Sequence, residues 1–467
     1  MEIGFHGAAR TVTGSKALLK LQNGTNILVD CGLFQGMGPQ TDELNEDFGF
    51  VAAEVNVLLL THAHIDHSGL IPKLVKEGFK GKIFSTEATR DLSEILLYDS
   101  AEIQTYETEH INRKRKASQR PLYEPLYTAE DVATTLTLFE VVEYDCDVEI
   151  ATGVTARFIN TGHLAGSAAI FLSVKENGKT TTLHFTGDVG RYNSVLLQSP
   201  QEFPQADYII SESTYGDKRH DISFSTVKHI RQWLEKTCVE KQGKLIIPAF
   251  SVGRTQEVLY ALNQLEVERR LPELKYFVDS PLSQKATGVL KKYTAHFNER
   301  LQQVMQMDND PFHFEGLKYV ESVEDSRRLV SYEEPCVIIS ASGTADAGRV
   351  RHHIQSCVGD SKNSILFVGY CSEKSLGGEL LSGSKEIELF GNEHKVSAEI
   401  GRMEGMSAHA DCDELGKYLT CGDASKVKTI FLVHGEYGVQ QKFAARLETK
   451  EFKNVVIPAP HESFTLA

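Results

Sequence analysis

The chain lacks the features that would tie it to a bilayer, an oxidising compartment or a polyanion coat. No apolar run approaches the roughly 18–20 residues that a spanning helix needs, so no membrane partner is expected. The opening Met1-Glu2-Ile3-Gly4-Phe5-His6 has no basic, apolar signal-peptide pattern. Eight cysteines are present without any Cys-x-x-Cys pair, and the expectation is reduced thiols in the cytoplasm. Basic charge is scarce. With 49 Lys and Arg against 64 Asp and Glu, the formal charge of -15 argues against a non-specific nucleic-acid coat, which shows a basic face. The one dense basic run, Arg113 to Lys116 with Arg120 nearby, follows an acidic, helix-like segment containing Glu102, Glu107 and Glu109. It reads equally as a phosphate-tracking segment or a solvated surface loop. Internal repeats and low-complexity tracts are absent, and Trp233 with the aromatics of the middle region reads as core filling.

What is present is a metal-ligand pattern. In Thr61-His62-Ala63-His64-Ile65-Asp66-His67 three imidazoles and a carboxylate fall within six positions. Val57 to Leu60 just before them read as a short buried strand, so the ligands sit on the turn leaving it, with a helix opening near Asp66 and running through Leu70 and Leu74. Imidazole and carboxylate suit zinc, and four such groups on one turn are enough to begin two sites. A His-rich polar loop is the competing reading, outweighed by the spacing and the preceding strand. The chemistry indicated is metal-assisted hydrolysis. At 467 residues and 41% hydrophobic, the chain can bury more than one core.

His-x-His-x-Asp-His resembles the signature of the metallo-β-lactamase fold. On either side lie residues resembling its other site positions: Asp30 after Ile27-Leu28-Val29, His163 in Thr161-Gly162-His163-Leu164-Ala165-Gly166-Ser167, and Asp188 in Phe185-Thr186-Gly187-Asp188. Glu212 in Ser211-Glu212-Ser213-Thr214-Tyr215-Gly216, His409 in Ser407-Ala408-His409-Ala410-Asp411 and His434 in Leu432-Val433-His434-Gly435-Glu436 are similar to motifs A, B and C of the β-CASP nucleases. The match runs in the family's order from Phe5 to about Pro458. It implies an α/β chain: an αββα metallo-β-lactamase sandwich over 1–200, an inserted α/β β-CASP domain over 201–400, and a completing segment over 401–467. Strand-like runs at Leu245 to Ile247, Tyr276 to Val278, Val337 to Ile339 and Ile365 to Val368 alternate with helical stretches Thr255 to Leu265, Ser283 to Tyr293 and Arg349 to Cys357. That alternation indicates a parallel sheet covered on both faces. A histidine at motif C implies RNA rather than DNA. A chain that begins near its first strand resembles the compact, mostly bacterial members, similar in core to the cleavage and polyadenylation endonuclease.

The resemblance also implies roles. It assigns His62, His64 and His163 to one zinc, Asp66, His67 and His434 to another, and Asp188 as the bridge, for two Zn2+ per chain with Mn2+ able to replace it. Asp30 would fix the tautomer of a ligand histidine, its alternative being a strand-end turn acid. His409 would be the general acid, oriented by Glu212, and a two-metal cut would leave 5'-phosphate and 3'-hydroxyl. Arg254, Ser342, Gly343 and Ser407 are candidate substrate contacts, because the segments Pro248 to Arg254 and Ser340 to Gly343 each follow a strand-like run and precede a helical one. Thr344-Ala345-Asp346 departs from the family's usual sequence there. The implied function is zinc-dependent hydrolysis of single-stranded RNA, with internal or 5'-end cutting, and homodimer or monomer, left open. An ester or lactam hydrolase on the same fold, a non-catalytic RNA-processing subunit and an iron redox protein are the competing readings. His6, His110, His184, His352 and His353 read as structural or surface residues.

Overall fold

The computed structural model describes residues 1–221 and 225–467, with the side chains of all of these but Pro39 and Glu404. Side chains alternate faces along a strand, and in Asn26–Val29 and Val57–Leu59 both faces are apolar and buried. Ile27, Val29, Val57 and Leu59 join one cluster with Phe158, Ile170, Leu172, Leu183 and Phe185. Leu28 and Leu58 join another with Leu70, Ile71 and Leu74. Strands buried on both faces must lie between layers. The first cluster is the filling between two seven-stranded sheets, and the second seats helices on an outer face. On the far face of the other sheet, Ile209, Ile430 and Leu432 pack with Leu415, Leu419, Phe443 and Leu447 from helices Cys412–Leu419 and Tyr437–Glu448. This is the αββα sandwich.

The first sheet runs, edge to edge, Glu462–Thr465, Glu2–Gly7, Lys16–Lys20, Asn26–Val29, Val57–Leu59, Lys82–Ser85, Phe139–Val141. The second runs Val455–Val456, Thr429–Leu432, Tyr208–Ser211, Lys179–Phe185, Ala168–Glu176, Val154–Asn160, Asp147–Ala151. Each sheet is parallel toward one edge and antiparallel toward the other.

The chain divides into two compact units, Met1–Arg219 with Ala408–Ala467, and His220–Ser407 between them. These crossings fall later than the 200/201 and 400/401 divisions read from the sequence. Strand Tyr208–Ser211 pairs within the first unit, and Glu399–Arg402 pairs within the second. The second unit holds a six-stranded, all-parallel sheet in the order Leu317–Tyr319, Lys275–Asp279, Cys336–Ser340, Lys244–Pro248, Ser364–Phe367, Glu399–Arg402. Its central strands are continuous apolar runs, as burial on both faces requires.

Two local expectations change. The helix after the histidine cluster is two short ones, Ile65–Ser68 and Ile71–Lys76, the second opening with Pro72, whose missing N–H is tolerated only in a first turn. The basic run is not a loop. It forms the last turn of helix Glu87–Ala117, where Lys114, Arg115 and Lys116 complement the negative end of the helix dipole and Arg115 stacks on Tyr123 at 4.0 Å. Among the described residues no helix is long and apolar enough to cross a membrane, and all eight cysteines are unpaired.

Candidate metal centre

Strand ends build the site. Asp30, His62, His163, Asp188, Glu212 and His434 each lie within three residues after the carboxyl end of a sandwich strand, and His409 lies just before helix Cys412–Leu419. Buried apolar strands thus deliver polar groups to one rim, the usual location of ligand sites in such sheets.

Three ring nitrogens converge there: His64 Nδ1 is 3.1 Å from His62 Nε2 and 3.2 Å from His163 Nε2. Asp188 Oδ2 closes the group at 3.5 Å from His62 Nε2 and 3.4 Å from His163 Nε2. Four ligands around a metal at about 2.0–2.1 Å stand about 3.3 Å from one another, so these separations are the edges of a coordination shell. Burial, the largest cause, depresses the pKa of all three imidazoles, that of His64 to about 4, which keeps their lone pairs available.

The other oxygen of Asp188 faces a second group. Oδ1 is 3.3 Å from His67 Nε2, and His434 Nε2 is 3.2 Å from Asp66 Oδ2. Asp66, His67 and His434 lie within ligand-sharing distance of one another. Asp188 Oδ1 is buried and has no hydrogen-bond partner. A buried carboxylate oxygen without a donor fits a cation between it and the imidazoles. Despite opposing burial, surrounding histidines hold the Asp188 carboxyl well below the usual range, so it is ionised.

The supporting groups fix which nitrogen of each ring is presented. Asp30 Oδ2 lies 2.7 Å from His67 Nδ1, while Thr61 N–H and Oγ1–H hold its two oxygens at 2.8 Å. That bond leaves His67 Nε2 for a ligand. Burial works against protonation of His67, but Asp188 and Asp30 outweigh it and raise its pKa well above normal. A metal taking Nε2 must therefore displace a proton. Thr214 does the same office for His434: its hydroxyl donates to the His434 carbonyl at 3.1 Å and lies 3.0 Å from Nδ1. With its one proton so used, the oxygen accepts from Nδ1–H and leaves Nε2 with its lone pair. The sequence reading missed Thr214, although it lies two residues from Glu212 in the same motif. It also missed Lys16, whose buried ammonium donates to the Gly14 and Gly32 carbonyls at 3.0 and 2.9 Å and braces the turn after Asp30.

His409 stands beside the cluster with Nδ1 3.1 and 3.2 Å from the two oxygens of Glu212. Val189 N–H donates to Glu212 at 2.6 Å and Thr214 N–H at 3.3 Å, so the carboxylate is clamped. Burial lowers the His409 pKa, but the fields of Glu212 and Asp188 outweigh it and lift it to about 9. The imidazolium is thus available at neutral pH, with Nδ1 held by Glu212.

The four substrate candidates lie in the second unit and are mostly committed elsewhere. Arg254 is buried, with its guanidinium on Glu257 and the Met406 carbonyl. Ser342 bonds to the backbone of Ala347. Gly343 lies against the Phe250 ring, and Ser407 is half-buried after a short 3-10 turn ending at Met406. Asp346, read as unfavourable to phosphate, accepts from Leu376 N–H at 2.8 Å at the start of helix Leu376–Leu381.

Against known proteins, residues 12–134 match the metallo-β-lactamase superfamily, 255–380 the Beta-Casp domain, and 393–458 the Zn-dependent metallo-hydrolase RNA specificity domain. The chain is 35% identical over 436 residues to ribonuclease TTHA0252 of Thermus thermophilus, covering 93% of each chain. It is 30% identical over 457 residues to an RNase J-like protein of Methanocaldococcus jannaschii, covering 97% of this chain and 96% of the relative. Transcription termination factor FttA of the same organism is 29% identical over 472 residues, 98% of this chain and 70% of the relative. A crystal structure of an Enterococcus faecalis protein of unknown function shares the fold, with a TM-score of 0.52, 10% identity, and coverage of 100% and 99%.

Proposed function

Since the chain belongs to the metallo-β-lactamase β-CASP RNA nuclease family and is a metal-dependent hydrolase, we propose that it is a two-zinc ribonuclease cutting single-stranded RNA to 5'-phosphate and 3'-hydroxyl ends. The observation that carries the two-ion reading is the division of Asp188, Oδ2 toward His62 and His163 and Oδ1 toward His67. His62, His64 and His163 would hold one ion, Asp66, His67 and His434 the other, and Asp188 both. When bound, such a pair activates an attacking water and clamps phosphate oxygens.

The rest falls to this chain's own side chains. Asp188 and Asp66 carry the negative charge that retains the cations, and Asp30 and Thr214 hold two ligand rings in the presenting tautomer. The P–O3' bond breaks as water oxygen bonds to phosphorus, and the departing 3'-oxygen takes the proton from His409 Nε2. Glu212 keeps that ring charged and aimed. Every ligand position is filled, which favours an enzyme over a non-catalytic subunit, and the β-CASP unit favours a polymer over a small ester or lactam.

The test is incubation of the zinc-loaded chain with end-labelled single-stranded RNA, matching DNA and a lactam. Cleavage of RNA to fragments bearing 5'-phosphate and 3'-hydroxyl is expected. Lactam hydrolysis with intact RNA, or fragments ending in 3'-phosphate, would overturn the reading.

A further inference from the structure

The second unit presents two aromatic rings to solvent where an apolar side chain has no core to fill. Phe250 is 39% exposed and Tyr370 41% exposed. An isolated exposed aromatic is ordinary. These two are placed by neighbouring strands: Phe250 two residues after Lys244–Pro248, and Tyr370 three after Ser364–Phe367, which pair directly in the parallel sheet. The loop after the third adjacent strand, Cys336–Ser340, brings Gly343 to the same place.

Phe250 is held rather than loose. A Cβ on Gly343 would stand 2.8 Å from its Cδ2, and one on Gly369 3.2 Å from its Cε2, so two residues without side chains make the seat for one edge of the ring. Any larger residue at Gly343 would have to displace the ring or the Phe250 backbone N, which is 3.0 Å away. This accounts for Gly343 better than a phosphate contact does. A ring fixed in place loses little freedom when something stacks on it. The carboxyl ends of parallel strands are where α/β sheets bind ligands.

We propose that Phe250, with Tyr370 on the neighbouring loop, is a stacking platform for unpaired nucleobases. The inference rests on the ribonuclease reading and adds to it a base-binding subsite within the β-CASP unit. An aromatic face accepts any base, so the site would hold single strands without reading their sequence, and it needs no basic surface. That fits a chain with a formal charge of -15.

The experiment compares Phe250→Leu and Phe250→Trp with wild type on a short single-stranded RNA carrying 2-aminopurine, and on bis(p-nitrophenyl) phosphate, a diester with no base to stack. Phe250→Leu should raise KM for RNA about 5- to 100-fold, the range for losing one base–aromatic stack, and abolish stacking quench of 2-aminopurine. Phe250→Trp should keep both, and the small diester should be hydrolysed equally by all three. Unchanged RNA KM and quench in Phe250→Leu would overturn the platform, as would an equal loss on both substrates, which would make Phe250 a support of its loops. Wild-type hydrolysis of the small diester with neither binding nor cutting of RNA would overturn the ribonuclease reading itself, a separate result.

Discussion

Asp188 in the first unit and Asp279 in the second are both buried carboxylates at strand ends beside histidine, yet their surroundings differ in kind. Asp279 has partners on both oxygens: Oδ2 accepts from His353 Nε2 and Ser326 Oγ, each at 2.6 Å, and Oδ1 from Arg349 at 2.7 Å. Asp188 has the Nε2 atoms of His62, His67 and His163 around it at 3.3 to 3.5 Å, while Oδ1 goes without a hydrogen bond. The first arrangement is closed and ties loops together. The second is a shell of ligands spaced for something larger than a proton. A His–Asp contact alone does not mark a functional site; a deficit of donors around converging lone pairs does.

The largest effect expected from this contrast is at Asp188. On the two-zinc proposal, Asp188→Asn keeps the shape and removes the charge that both ions would share, so zinc content should fall to one or fewer per chain and turnover by on the order of 1000-fold or more. Elemental analysis with kinetics checks it. Asp279→Ala should do the reverse, leaving zinc per folded chain unchanged while costing about 3–5 kcal/mol in chemical denaturation, because Arg349 loses its counter-charge and His353 its acceptor. Zinc loss from the Asp279 variant would break the comparison.

His409→Ala should keep both ions and lower turnover by about 100-fold or more, and an RNA analogue with sulfur as the leaving atom should restore much of it. The pH profile carries the sign. A pKa raised to about 9 leaves His409 protonated below that value and strips it as pH rises through it, so activity should fall on the alkaline side. Glu212→Gln removes the charge that supports the imidazolium, and the fall should move to lower pH. A profile unmoved by Glu212→Gln would take His409 out of the acid role. The smallest effect belongs to Thr214→Val. It should weaken one ion of the two by about 10- to 100-fold in chelator competition, with Thr214→Ser retaining it.

Legibility in the sequence followed the physics of each element. Strands buried on both faces, such as Val57–Leu59 and Cys336–Ser340, are continuous apolar runs and were readable as strands. Leu317–Tyr319, Asn392–Lys395 and Val455–Val456 are too short or too polar to signal themselves, and only their neighbours define them. The histidines of the metal cluster stood out because imidazoles crowded with a carboxylate on one turn serve little purpose except to hold a cation. Thr214, Thr61 and Lys16 did not, since a hydroxyl or an ammonium acquires its role only from the ring or carbonyl that folding brings to it. Arg113 to Lys116 could be read as a surface loop because charge alone does not reveal a helix end.

Metal counting on active wild-type protein tests the central claim most directly. Elemental analysis of a preparation that cleaves single-stranded RNA should find about two zinc ions per chain, lost together with activity on chelation and regained together on readdition. Full activity with one ion or none would contradict the reading of Asp188 as a bridge between two.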